Sequence, residues 1–125
     1  MATKAVLKLT QVHGVVKVRG TGSATIALAT DLKKSSETQS SPKANIRTLH
    51  WALAVDTTAT VTRNSVVLYY LSGSGKMEFM GWSDNEENGS DIVVDFSSGT
   101  GSVVLELAKI SGYGSQQHQN QGDLG

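Results

Sequence analysis

The stretch Ser83-Asp84-Asn85-Glu86-Glu87-Asn88-Gly89-Ser90-Asp91 holds four of the chain's eleven carboxylates. Clustered oxygen ligands of this kind are what a hard cation such as calcium takes. Asp84, Glu86 and Asn88 fall at positions 1, 3 and 5 of an EF-hand-like register, with Gly89 at position 6 and Asp95 at position 12. The flanks argue against that register. "KMEFMGW" before it and "DIVVDF" after it alternate like strands, where an EF-hand needs helices. Asp91 stands at position 8, where an apolar residue is expected. On a strand, Asp91 and Asp95 lie more than about 10 Å apart, at about 3.3 Å per residue, so Asp95 cannot fold back as a bidentate ligand. A calcium site of another β-loop geometry, built from Asp84, Glu86, Asn88 and Asp91, stays open. The competing reading, a solvated connector between strands, is the one the flanks favour.

Other chemistry is sparse. His13, His50 and His118 lie far apart in sequence and have no zinc-ligand spacing. Serines are abundant, but no G-x-S-x-G elbow positions one as a nucleophile. "GTGSAT" and "GSGKME" lack the full G-x-x-x-x-G-K-[ST] pattern and the helix that must follow it. No catalytic residue and no cofactor is expected, and the chain does not read as an enzyme. Trp51 lies in an apolar row and reads as core. Trp82 and Tyr113 stand at strand ends beside loops, where they either cap an open sandwich end or stack on a sugar or a protein.

The elements that must position these residues are strands. Ala24, Ile26 and Leu28 share one face of an alternating run; so do Leu49, Trp51, Leu53 and Val55, then Ile92, Val94 and Phe96, then Val103, Leu105 and Leu107. "SVVLYYL" (65–71) is apolar on both faces, which predicts a central strand covered on both sides by the fold or by a partner. The clusters "RGTGS" (19–23), "RNS" (63–65), "SGSGK" (72–76) and "SSGTGS" (97–102) read as turns between strands. Together they predict an all-β, antiparallel, jelly-roll-like sandwich of eight or nine short strands spanning 1–113. "TDLKKSSETQSSPKAN" (30–45) reads as a long polar loop with one helical turn at Asp31–Ser35. The Gln- and Gly-rich segment 114–125 reads as a flexible arm.

A chain of 125 residues is long enough to bury a core without staples. It has no cysteine, which excludes disulfides and thiol chemistry. Its N-terminus shows no apolar signal-peptide region, and no apolar run approaches the roughly 20 residues of a membrane span. Net charge is zero but unevenly placed. Residues 1–47 carry eight Lys/Arg and two Asp/Glu, a net of +6, and residues 48–125 carry three and nine, a net of −6. Either a basic face meets an acidic one, or the fold interleaves the halves and mixes the charges. Without an overall basic excess or a recognisable motif, nucleic-acid binding is not expected.

Four stretches, taken in order and spacing, resemble small virion structural proteins of large tailed phages, including T-even-like phages of marine cyanobacteria. They are "MATKAVLK", "VTRNSVVLYYL" (61–71), "MEFMGWSDNEENGSDIVV" (77–94) and "LELAKISGY" (105–113). The resemblance implies a compact β-domain assembled on the particle, most simply a capsid decoration protein on the major capsid protein lattice. It implies assembly in the host cytoplasm and residence on the outer capsid surface, with a homo-oligomer, a trimer first, as the repeating unit. It matches Arg63-Asn64-Ser65 to a hairpin turn, Ser83-Asp84-Asn85 to an acidic loop and Lys109-Ile110-Ser111-Gly112-Tyr113 to a closing strand. It supplies no catalytic residues, and the extension past Tyr113 departs from it. The charge asymmetry makes Lys4, Lys8, Lys33, Lys34 and Lys43 the expected contacts to an acidic shell, with Trp82 and Tyr113 as aromatic interface candidates. A tail, neck or fibre-associated β-domain and a carbohydrate-binding module are the alternatives.

Overall fold

A computed structural model describes residues 2–33, 42–78 and 83–111. Among these residues the alternating runs form seven strands and one short helix. They are β1 (Thr3–Leu9), β2 (His13–Ile26), α1 (Leu28–Asp31), β3 (Lys43–Leu53), β4 (Thr58–Arg63), β5 (Val66–Ser72), β6 (Ser74–Glu78) and β7 (Ile92–Ser111). Every pairing between these strands is antiparallel.

β2 and β7 are long enough to serve two layers. The first half of β2 and the second half of β7 lie in a five-stranded layer of order β1-β2-β7-β3-β6. The second half of β2 and the first half of β7 continue into a layer completed by β4 and β5. The corner falls where Gly20 pairs with Gly101 and Gly22 pairs with Phe96. β2 places only Thr21 between those pairs, whereas β7 places residues 97–100, so the sheet must bend. Gly20 (φ 119°) and Gly22 (φ 82°) adopt backbone angles closed to most side chains. "RGTGS" and "SSGTGS" are therefore bends inside long strands rather than the turns the sequence suggested.

The all-β antiparallel sandwich is as expected, built among the described residues from seven strands, of which β2 and β7 are long. Its order shows one sheet folded across two shared strands and does not establish a jelly roll. The core lies between the layers. Val16, Val18, Ile46, Leu49, Val103, Leu105 and Leu107 meet Ile26, Val61, Ile92, Val94 and Phe96, all buried. Each such side chain contributes roughly 1.5–3 kcal/mol on burial. Leu28 and Leu32 carry the core past the end of β2. The helical turn thus begins at Leu28, ahead of the predicted Asp31–Ser35, because Leu28 and Leu32 both have core to bury.

The alternating rows fare unequally. Ile92, Val94 and Phe96, and Val103, Leu105 and Leu107, are buried throughout. In the Leu49 row, Trp51 and Leu53 only pack against the margin of the core, and Val55 is 89% exposed beyond the end of β3. The expected central strand at 65–71 is overturned. Among the described residues β5 pairs only with β4, and Val66, Val67 and Tyr70 are exposed. Apolar residues on both faces mark an edge here because, among the described residues, no strand pairs beyond them.

Candidate functional site

The acidic loop is held by a residue whose role the sequence hid. Arg63 ends β4 and is completely buried. Its guanidinium donates to the carbonyl of Ala44 (2.7 Å), to that of Asn88 (3.0 Å) and twice to that of Ser90 (2.7 and 3.0 Å). A planar fork with five donors suits such convergence, which a point-charge ammonium could not match. Arg63 thus fixes the start of β3 to the far end of the loop. Beside it, the Asn88 amide donates to Asn45 Oδ1, and the Asn45 amide donates to Ser83 Oγ.

The loop's own oxygens are engaged by the protein. The Asp84 backbone pairs with Ile46, its Oδ1 accepts from the Glu86 amide, and its other oxygen accepts from the Tyr69 hydroxyl. Burial, reinforced by that bond and by the negative charge of Asp84 and Glu86, pushes the Tyr69 phenol well above its ordinary range. Asp91 Oδ1 accepts the Leu28 amide at 3.0 Å, satisfying a donor at the start of α1. Glu87 Oε1 accepts from the Asn64 side chain. Asp84, Glu86, Asn88 and Asp91 are thus aimed at Tyr69, solvent, Asn45 and α1, and do not converge on a common centre. Among the described residues, no three His, Cys, Asp or Glu side chains are grouped to hold a metal ion.

The lysines divide in the same way. Lys4 Nζ pairs with Asp31 Oδ2 at 2.7 Å and donates to the Thr25 carbonyl, fastening β1 to α1. Lys8 is exposed on β1, Lys43 is exposed where β3 begins beside Gly89, and Lys33 is half-buried just past α1. The structure therefore does not bring the five expected lysines onto one patch. Lys34, Trp82 and Tyr113, like residues 34–41 of the expected 30–45 loop and the whole 114–125 arm, lie outside the described residues, and the last residues of that expected loop, from Lys43, instead begin β3. Trp51 is half-buried over Gly75 and donates to the Ser72 carbonyl at 3.0 Å, so it braces β6 rather than filling the centre.

What the sequence missed is the exposed edges. Every residue of β1 from Thr3 to Lys8 is exposed, including Val6 and Leu7, and among the described residues β1 pairs only with β2. On the other layer, Tyr70 is 79% exposed beside Thr58, Thr60 and Ser72, which help line a shallow surface pocket with it. Only the mixed polarity of "TKAVLKL" hinted at an edge. Comparison with protein-family models, with curated proteins and with solved structures returns no match.

Proposed function

We propose that this chain is a structural component of a tailed-phage virion, a decoration protein that docks on the major capsid protein lattice. The observation that carries the reading is β1, an edge strand exposed along its length that presents Val6, Leu7 and Lys8 together. An edge of this kind offers main-chain pairing, apolar contact and charge to a neighbouring subunit at once. The internal polar groups support the same reading. Arg63, Asp84, Asp91 and Asn45 are engaged in holding loops to strands, which favours a rigid building block. Docking through many copies then gains strength by avidity. Cryo-electron microscopy of the phage particle whose genome carries this chain tests the proposal. Density for the domain on the outer capsid lattice is expected. Density at the neck, tail or fibres moves it to another virion position, and absence from the particle discards the virion reading.

One observation favours a second reading, a carbohydrate-binding module. The Tyr70 ring projects from a strand face rich in hydroxyls, with Thr58, Thr60 and Ser72 beside it. An exposed aromatic ring flanked by hydroxyls suits stacking on a sugar. A glycan array distinguishes this reading: binding that Tyr70→Ala abolishes supports it, and no binding to any glycan removes it.

A further inference from the structure

β1 and β2 give the five-stranded layer a cationic margin. Together they carry Lys4, Lys8, Lys17 and Arg19 and contain no Asp or Glu. The inward side chains of β2 are Val16 and Val18, so Lys17 and Arg19 point outward. Paired residues share a face, which puts Ala5 beside Lys17, Thr3 beside Arg19 and Lys8 beside Val15 on that outer side. Lys8, Lys17 and Arg19 have no ion-pair partner among the described residues. Glu106 of β7 pairs with Val15, but its carboxylate accepts from Thr48 Oγ1 on β3 at 3.4 Å, on the side away from these cations.

The inner side of the same margin is apolar and open. Val6 pairs with Val16, which is fully buried, yet Val6 itself is 41% exposed. Leu7, at the bulge between Val6 and Lys8, is 57% exposed. Lysines on an edge strand commonly repel a further strand. Lys4 does not act in that way, because its ammonium is drawn back to Asp31 and the Thr25 carbonyl. Lys8 stays on the outer face, where it rejects a basic strand and attracts an acidic one.

We propose, resting on the virion reading for the partner's identity, that β1 accepts an extended segment of the partner protein as an added strand, and that this segment alternates acidic and apolar residues. Strand spacing sets the pattern. Neighbouring strands lie about 4.8 Å apart, so an added strand runs about 10 Å from β2. On the outer face the short side chains of Thr3 and Ala5 stand between, and Lys17 and Arg19 reach over them to carboxylates on the added strand. On the inner face its alternate side chains meet Val6, and apolar residues there complete the cover. Main-chain pairing supplies affinity and the alternating side chains supply specificity. A nucleic acid fits this margin poorly, since β1 and β2 contain no Phe, Trp or Tyr on which bases could stack.

The probe is a blocked peptide of about eight residues alternating Glu and Val, titrated into the full chain and followed by NMR. One control replaces Glu by Lys, and another gathers the same residues into a Glu block and a Val block. Saturable binding of the alternating peptide is expected, with slowed amide exchange between Thr3 and Lys8. Binding should weaken as salt rises from about 0.1 M to about 1 M, which shortens the screening length from about 10 Å to about 3 Å. The lysine peptide should not bind, and the block peptide should bind about tenfold more weakly or less. Lys17→Glu with Arg19→Glu should weaken the alternating peptide about tenfold and admit the lysine peptide. If that variant is unfolded by circular dichroism, Lys8→Glu with Arg19→Glu, both at exposed positions, replaces it. No binding of the alternating peptide, equal binding of the block peptide, or protection away from β1 would each overturn the added strand. Those outcomes leave the virion reading intact, because density on the particle decides it. A domain absent from the particle would discard that reading while peptide binding at β1 still stood.

Discussion

The Arg63 guanidinium donates to the Ala44 carbonyl at 2.7 Å, joining the end of β4 to the start of β3 across 19 residues of sequence. The same group holds the Asn88 and Ser90 carbonyls, so one buried cation sets the position of three chain segments. The acidic loop is shaped from beneath by this residue.

Replacing Arg63 should therefore be costly. Arg63→Ala leaves three carbonyls without this donor and opens a cavity, and a loss of about 3 kcal/mol or more is expected. Arg63→Lys should recover only part of it, because an ammonium cannot reach all three acceptors. Urea unfolding of the three proteins checks this. An Arg63→Ala midpoint equal to wild type would refute the clamp.

Tyr69 should give the fold an alkaline limit. Its folded-state pKa is raised above the ordinary 10.0, so the unfolded chain releases this proton first. The contribution is complete below about pH 10 and is lost as pH rises above it. Tyr69→Phe should cost about 1 kcal/mol near neutral pH, from loss of the bond to Asp84, and should flatten the alkaline decline. Thermal unfolding between about pH 8 and pH 11 reads both effects, and parallel curves for the two proteins would contradict the assignment.

The β4–β5 turn has room for improvement. Asn64 (φ 50°) and Ser65 (φ 61°) both lie in the left-handed region, the pattern of a two-residue type I′ hairpin turn. Asn tolerates it and Ser does so less well. Ser65→Gly should raise stability by about 0.5–1 kcal/mol, seen as a higher urea midpoint. A lower midpoint would mean that the turn has another conformation.

Gly75 should be irreplaceable for a steric reason. A Cβ at this position would meet the Trp51 ring at 2.8 Å. Gly75→Ala is expected to cost about 1–3 kcal/mol and to shift the Trp51 emission as the ring moves. Measuring in a Trp82→Phe background leaves Trp51 as the sole tryptophan. Unchanged emission and stability would show that the ring has space to spare.

Calcium offers a last check on the loop. The Asp84 and Asp91 carboxylates already accept protein donors and point to different elements. Millimolar calcium is expected to leave the melting temperature unchanged. A rise of several degrees, lost in Asp84→Asn, would show that the loop rearranges around a cation.

Alternation alone determined much of this protein. A run such as Ile92, Val94 and Phe96 has period two, and any arrangement that buries one face of it must be a sheet, so the all-β class and the inward residues of β7 were legible without coordinates. The hairpin at Asn64-Ser65 was legible too, because Asn is a turn residue that tolerates the positive φ found there. Neighbours were not legible, since they depend on pairing between residues far apart in the chain. "SVVLYYL" has the composition of a central strand, and only the end of the sheet beyond β5 makes it an edge. Arg63 resembles any polar residue before a turn, and only the carbonyls brought to it by β3 and the acidic loop bury it. The placement of single charges follows the same rule. The sequence divides Lys/Arg from Asp/Glu between its halves, but it took the bend in β2 and β7 to put Lys17 and Arg19 on one layer and Asp95 on the other. Local patterns record which side of a strand is wet; which strand lies beside it is a long-range choice settled by packing.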